Sequence, residues 1–400
     1  MTSQIRTALV IGGGIAGSTT AMALQRAGIE ACVHEAHHVT ADGIGGGLSL
    51  APNGVHALDA IGVGDVIRQV GTPMRGTVLH SGDGELLGEI TLPADLPPSR
   101  FVWRGELYRA LYDEATRRGI RTLHGKQLVR AEDTGDGVRA HFADGTEESA
   151  DILVGTDGIR STVRALIDPA APRPQYAGLL GFAAPLAETG LPGTDGKLHV
   201  SYGPGGSFGH LVHADGSGGW FVNLPHPEPL TLAEARQTPP EQWLDRLRQA
   251  YADHCAPAAD LLARTEAADL LITGPLETMP PVPTWSRGRM VLVGDAVHAA
   301  SPSSGQGASQ AVESSVQLAR CLRDLPYDQA FTAYEGLRRA RVERIIALAA
   351  RTNAGKASPL TRGARDLKPE PLDWQFTHRI DWDAPVLPSE PALEFQSKSA

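Results

Sequence analysis

Gly12, Gly14 and Gly17 stand in the run GGGIAG, between the short apolar stretch TALVI and the helix-forming run STTAMALQRAG. A glycine at 12 permits a tight turn, one at 14 lets a pyrophosphate approach the backbone, and one at 17 lets helix and strand pack closely. Ile15 and Ala16 open the helix, whose N-terminal N–H groups would face phosphates. Glu35, followed by Ala36, closes the next strand, EACVHEA, where a carboxylate accepts hydrogen bonds from an adenosine ribose. An acid at that place disfavours a 2′-phosphate, so the dinucleotide bound in this fold is NAD or FAD. Two further acids follow short apolar runs: Asp157 in DILVGTDGIRSTVR and Asp295 in RMVLVGDAVHAASPSSGQGA.

With these three segments in order, the chain resembles the FAD-dependent aromatic hydroxylases, the single-component flavoprotein monooxygenases related to para-hydroxybenzoate and salicylate hydroxylase, over about residues 5–350. Asp157 and Gly158 match that family's D-G motif, and Gly294 and Asp295 its G-D motif. The resemblance implies that Asp295 holds a ribityl hydroxyl of FAD and that Pro302, Gly305, Gln306, Gly307 and Ala308 run along the isoalloxazine ring. A helix N-terminus there would stabilise the anionic reduced flavin. It also implies that Arg104, opening the second long helix, reaches the pyrophosphate or ribityl chain, that Gly46, Gly47 and Leu48 touch the ring, and that the backbone at Leu128 meets adenine. Ser309, Ser314, Ser315 and His37 depart from the family's usual residues without removing a core motif.

The cycle implied is reduction of FAD by NAD(P)H, addition of O2 at flavin C4a, and delivery of one oxygen atom from the hydroperoxide to an aromatic or polycyclic, polyketide-like substrate. The cofactor supplies that chemistry, and the protein positions the substrate and excludes water. Nicotinamide would bind transiently, because the visible dinucleotide fold goes to FAD. The same scaffold also carries flavin-dependent halogenases, isoprenoid double-bond reductases and, in principle, a ligand-sequestering protein with structural FAD. A halogenase expects W-x-W-x-I-P, and none of the six tryptophans has a partner two residues away.

The elements that must position these residues are those of an α/β fold: a Rossmann-like FAD-binding domain interleaved with an antiparallel β-sheet substrate domain, then C-terminal helices. Residues 1–74, 98–175 and 276–325 read as the FAD-binding domain, 75–97 and 176–275 as the substrate domain, 326–357 as two C-terminal helices and 358–400 as an extended tail wrapping the body. Three antiparallel strands between 197 and 224 should roof the substrate, with Tyr202, Val212, Trp220 and Asn223 facing it and His210 or His213 as a candidate base for a phenol. His298 is expected to order the flavin loop. The sequence after Asp295 does not read as a helix start, and the arginines among residues 328–353 read as the solvated face of a packing helix.

Composition sets outer bounds. Four hundred residues suit two domains, and 42% hydrophobic with 20% charged residues is ordinary for a globular chain. A net charge of -10 argues against a nucleic-acid or anionic-membrane partner and suits an apolar or neutral small molecule. Cys32, Cys255 and Cys321 are odd in number and far apart, so neither a disulfide framework nor a metal knuckle is expected. No signal-peptide core or membrane-length apolar stretch is visible, and the expected compartment is the cytoplasm.

Overall fold

The computed structural model describes residues 5–40, 45–203, 205–254, 257–357 and 373–388, so Cys255 and most of the expected tail lie outside the described residues. The apolar runs that open the sequence motifs become neighbouring strands of one parallel sheet. Its order is Ser286–Arg287, Met290–Leu292, Ile152–Gly155, Thr7–Ile11, Glu30–His34, Arg121–Leu123, parallel throughout except for the two-residue edge strand. ILVG and MVL are wholly buried, as parallel strands covered on both faces must be. Helix Ile15–Arg26 begins straight after the glycine turn and packs against helix Gly307–Asp324.

A second, seven-stranded sheet has the order Leu271–Thr278, Gln175–Leu186, Gly218–Pro225, Gly206–Val212, Lys197–Gly203, Gly76–Ser81, Leu86–Thr91. The three strands expected between 197 and 224 are its centre, and it is antiparallel except where Lys197–Gly203 runs parallel to Gly76–Ser81. Because side chains alternate along a strand, the sheet has two chemically separate faces. Phe182, Phe208, Trp220 and Val222 pack outward with Trp243 and Leu247, beneath helix Pro240–Ala250. Leu198, Val200 and Leu211 cluster on the inward face with Met74 and Phe101.

Three expectations are corrected here. Residues 328–353 form one helix, Tyr327–Ala357, rather than two: no proline interrupts it, and Gly336 lies within it without ending it. A short helix, Asp295–His298, does begin at the G-D motif, because Gly294 at φ +66° supplies the turn that reads as a stop in the sequence. Nor is the arginine run simply solvated: Arg338 is 1% exposed and paired with the buried Glu313.

Of the tail, Asp373–Phe376 is a short helix, and the chain after it lies against the body. Arg26 and Arg323 stand 5.0 and 5.2 Å from the ring of Trp382, and Arg320 and Arg323 both donate to the Ala384 carbonyl.

Gly17 is where the first helix and strand meet most closely: a β-carbon there would lie 1.9 Å from the Gly12 carbonyl oxygen, whereas one at Gly14 meets nothing within 4 Å. Gly17→Ala is therefore expected to cost about 3 kcal/mol or more in chemical denaturation of the cofactor-free protein, and Gly14→Ala less than about 1 kcal/mol. Equal losses would contradict the assigned contact.

Candidate functional site

The glycine turn is closed by the Gly12 N–H donating to the His34 carbonyl at 2.8 Å, with Gly12 at φ +99°. A β-carbon at 12 would strike the Thr156 carbonyl oxygen at 2.7 Å. Beside it the Glu35 carboxylate is fixed by two backbone donors, Gly13 N–H at 2.7 Å and His37 N–H at 2.9 Å. Gly14, Ile15, Ala16, Glu35, Ala36 and Leu128 all line one cleft of about 1650 Å³ that runs between the parallel sheet and the seven-stranded sheet. Gly17 does not line it; its role is the helix–strand contact.

Further along the cleft are Gly46, Gly47, Leu48, Arg104, Asp157, Gly158 and Asp295. Arg104 is the first residue of helix Arg104–Arg117, and its backbone N–H donates to the Gly46 carbonyl at 3.1 Å, tying the 46–48 segment to that helix. Asp157 accepts from Ser161 Oγ at 2.5 Å and from the N–H groups of Thr162 and Val163, so its carboxylate caps helix Thr162–Ile167. Enclosure by the cleft walls pushes the Asp295 carboxyl above its ordinary range, and the charge of Arg104 opposes that rise.

At the far end Pro302, Gly305, Gln306, Gly307 and Ala308 form a loop that leads into helix Gly307–Asp324, with Gly305 left-handed at φ +60°. Gln306 is wholly buried. Its Oε1 accepts from Asn53 Nδ2 at 2.9 Å and Gln310 Nε2 at 3.1 Å, while its Nε2 has no partner. His298 Nε2 meets Ser314 Oγ at 2.8 Å; burial and the charge of Arg338 push its pKa down to about 3, so it is neutral and ties the short helix Asp295–His298 to helix Gly307–Asp324. Ser309 Oγ accepts the Ala51 N–H at 3.0 Å, and Ser315 Oγ pairs with Thr20 Oγ1 at 2.9 Å, so these departures from the family pattern have local partners.

Several residues of this site carried no separate signal in the sequence. Glu313, without exposure, accepts from Arg338, from Arg341 Nε and Nη2 at 2.9 Å each, and from Asn53 Nδ2 at 2.5 Å. Gln310 and Glu313 follow the expected Gln306 at four and seven residues, on one helix face, and that spacing is the signal that would have found them.

The sheet residues divide. Tyr202 and Asn223 line the cleft, whereas His210 and Val212 line a separate cavity of about 540 Å³ on the sheet's other face. Trp220 faces that side as well, its Nε1 donating to Thr265 Oγ1 at 2.8 Å. His213 lies in the turn that follows and is not among the cleft residues. The expectation of His210 or His213 as base and of Val212 and Trp220 as substrate wall is corrected by the two-residue period of the strands. Burial, with the neighbouring His199 and His80, also lowers His210 to about 4. Among the described residues no cluster of His, Cys, Asp and Glu fits a metal ion, and no helix is long and apolar enough to cross a membrane.

A single small-molecule pocket is about 300–1,000 Å³, so the cleft has room for a dinucleotide and a second ligand. The open cradle at Gly14, the anchored Glu35 acceptor, the enclosed Asp295 and the unmatched Gln306 donor suit FAD laid along it. A family model described as an FAD binding domain matches residues 6–191 and 233–349. The chain belongs to that family. It is 30% identical to the aurachin C monooxygenase/isomerase of Stigmatella aurantiaca, across 85% of this chain and 87% of that one. It is also 30% identical to 6-hydroxynicotinate 3-monooxygenase of Pseudomonas fluorescens, across 86% and 90%. Among solved structures, Klebsiella pneumoniae HpxO complexed with FAD and uric acid superposes with a TM-score of 0.79 at 27% identity, covering 89% of this chain and 90% of that one. This chain is accordingly an FAD-dependent monooxygenase, drawing electrons from NAD(P)H and oxygen from O2. That finding favours oxygen insertion over halogenation, double-bond reduction or ligand sequestration on the same scaffold.

Two predictions test the site. Asp295→Ala should lower FAD affinity by at least about tenfold, the scale of one hydrogen bond to a charged group; a variant that retains wild-type flavin through gel filtration would contradict the anchor. His298 has a folded pKa below its unfolded value of 6.5, so its contribution is complete above 6.5 and is lost as pH falls toward about 3. His298→Asn should therefore flatten the fall in stability between those pH values, read by urea midpoints; an unchanged slope would contradict a buried neutral imidazole.

Proposed function

We propose that this enzyme oxygenates an uncharged, apolar aromatic compound of several fused rings, held between the inward face of the seven-stranded sheet and the loop Pro302–Gly307. The observation that supports it is the chemistry of that face. Leu79, Leu198, Val200, Ala183 and Phe221 line the cleft there, and the polar groups among them are neutral: Thr77, Tyr202, Asn223 and Thr273. The charged side chains of this half, Glu89, Arg236 and Arg351, are exposed and stand at the rim. A ring carboxylate carried to the floor would give up its hydration without meeting a cation. The relative named for 6-hydroxynicotinate takes such an acid; the apolar face fits a neutral ring system better.

FAD supplies the redox and oxygen chemistry when bound. The chain's own residues exclude water, orient the substrate, and supply hydrogen-bond donors. Burial pushes Tyr202 up to about 12, so its hydroxyl stays protonated and acts as a donor, not a base. Asn223 is fixed by donating Nδ2 to Ser207 Oγ at 3.1 Å, which leaves its carbonyl oxygen to accept from a substrate hydroxyl. No histidine lines this half among the described residues, so activation rests on the electron-rich ring itself.

The test is NADH and NADPH oxidation in air with 2-naphthol, 9-phenanthrol and 3-hydroxybenzoate. The expected result is stimulation by the neutral fused phenols, with a product one oxygen atom heavier. Stimulation by 3-hydroxybenzoate alone would overturn the reading.

A further inference from the structure

The segment Asp373–Phe376 is separated in sequence from every motif described above, yet Gln375 and Phe376 line the cleft beside Ile345, Leu348 and Ala349 of the long helix. Its backbone is held there by the guanidinium of Arg341. Arg341 donates Nη1 to the Trp374 carbonyl at 2.9 Å and Nη2 to the Gln375 carbonyl at 2.8 Å, while its Nε and Nη2 also reach Glu313 at 2.9 Å each. Arg344 lies 4.1 Å from the centre of the Trp374 ring, a cation–π contact on the same short segment. Glu313 receives Asn53 Nδ2 at 2.5 Å, and the same amide group donates to Gln306 in the loop at 2.9 Å. One continuous chain of hydrogen bonds, charge-assisted up to Asn53, thus runs from the segment's backbone to the loop Pro302–Gly307.

The hydrogen bonds of Arg341 to the segment are backbone-directed. Arg341 grips two carbonyls, so the grip fixes where the Phe376 ring stands without using that ring. The ring is half-buried, and Phe376 lines the cleft together with Ile345, Leu348 and Ala349.

We propose that Phe376 is a specificity-determining wall of the substrate compartment, setting how long a fused ring system is admitted, and that Arg341 is its positioning residue. This rests on the reading of the substrate as a neutral multi-ring compound. Shortening the wall opens room for a further ring; lengthening it removes that room. A change of one or two carbon atoms in an apolar pocket already moves discrimination by tenfold or more.

The experiment uses the FAD-loaded full chain and two readouts: equilibrium binding of 2-naphthol and 9-phenanthrol, followed by perturbation of the flavin visible spectrum, and iodide quenching of flavin fluorescence. Phe376→Ala is expected to raise the affinity ratio of 9-phenanthrol to 2-naphthol by about tenfold and to raise the quenching constant; Phe376→Trp should lower both. Arg341→Met leaves Glu313 paired with Arg338 and should raise quenching as Phe376→Ala does. The double variant should show no further rise, because both changes remove one wall. A purely structural role for Arg341 would instead give additive effects and overturn the positioning assignment. Quenching and ratio unchanged in both Phe376 variants would overturn the wall. If neither phenol binds the wild type while 3-hydroxybenzoate does, the neutral-substrate reading fails, and quenching alone still decides whether Phe376 covers the cleft.

Discussion

A carboxylate with no contact to water must be met by charge and hydrogen bonds on every side, and the polar interior of this enzyme is organised around one such group, Glu313. Its partners come from four separate stretches of chain. Asn53 belongs to helix Pro52–Asp59 and Gln310 to its own helix, while Arg338 and Arg341 belong to the long helix Tyr327–Ala357. Through Arg341 the Trp374–Gln375 backbone joins as a fourth. Breaking such a set by removing one partner leaves a buried charge uncompensated, which is far costlier than the set's net contribution to stability. The consequence is positional: the loop that begins helix Gly307–Asp324 cannot move independently of the elements behind it.

That rigidity matters because the two sheets meet across a cleft, and each contributes something different. The parallel sheet brings the glycine turn, Glu35, Asp157 and Asp295 to the carboxyl ends of its strands, where an open α/β sheet binds its ligand. The seven-stranded sheet brings an apolar face with a few neutral polar groups. The family model matches most of the first and passes over residues 192–232, which hold the three central strands of the second. Cofactor chemistry is thus shared with relatives.

The cofactor half was legible in the sequence for a physical reason. Backbone close approach demands glycine at fixed spacings, and an acid at a strand end is a local signal, so Gly12, Gly14, Gly17 and Glu35 can be read without knowing anything distant. The substrate half depends on which way each strand faces, a property settled by tertiary packing. His210, Val212 and Trp220 were indistinguishable from Tyr202 and Asn223 by composition alone, and only the pairing of His210 with Trp220 and of Phe208 with Val222 shows which residues share the outer face. The arginines misled for a related reason: a helix rich in Arg reads as solvated until the acid opposite, 25 residues upstream of Arg338, is brought against it. The segment around Phe376 sits where the sequence suggested an extended tail wrapping the body, and its place in the cleft was not legible because its anchor is a contact to backbone carbonyls that no side-chain pattern announces.

The measurement that tests the central claim most directly is the visible absorption spectrum of the purified protein, recorded before and after NADH or NADPH is added in air with 9-phenanthrol, followed by mass analysis of the product. The account predicts flavin bands that bleach on reduction, return as oxygen is consumed, and leave a product one oxygen atom heavier. A colourless protein that takes up no added FAD would contradict it.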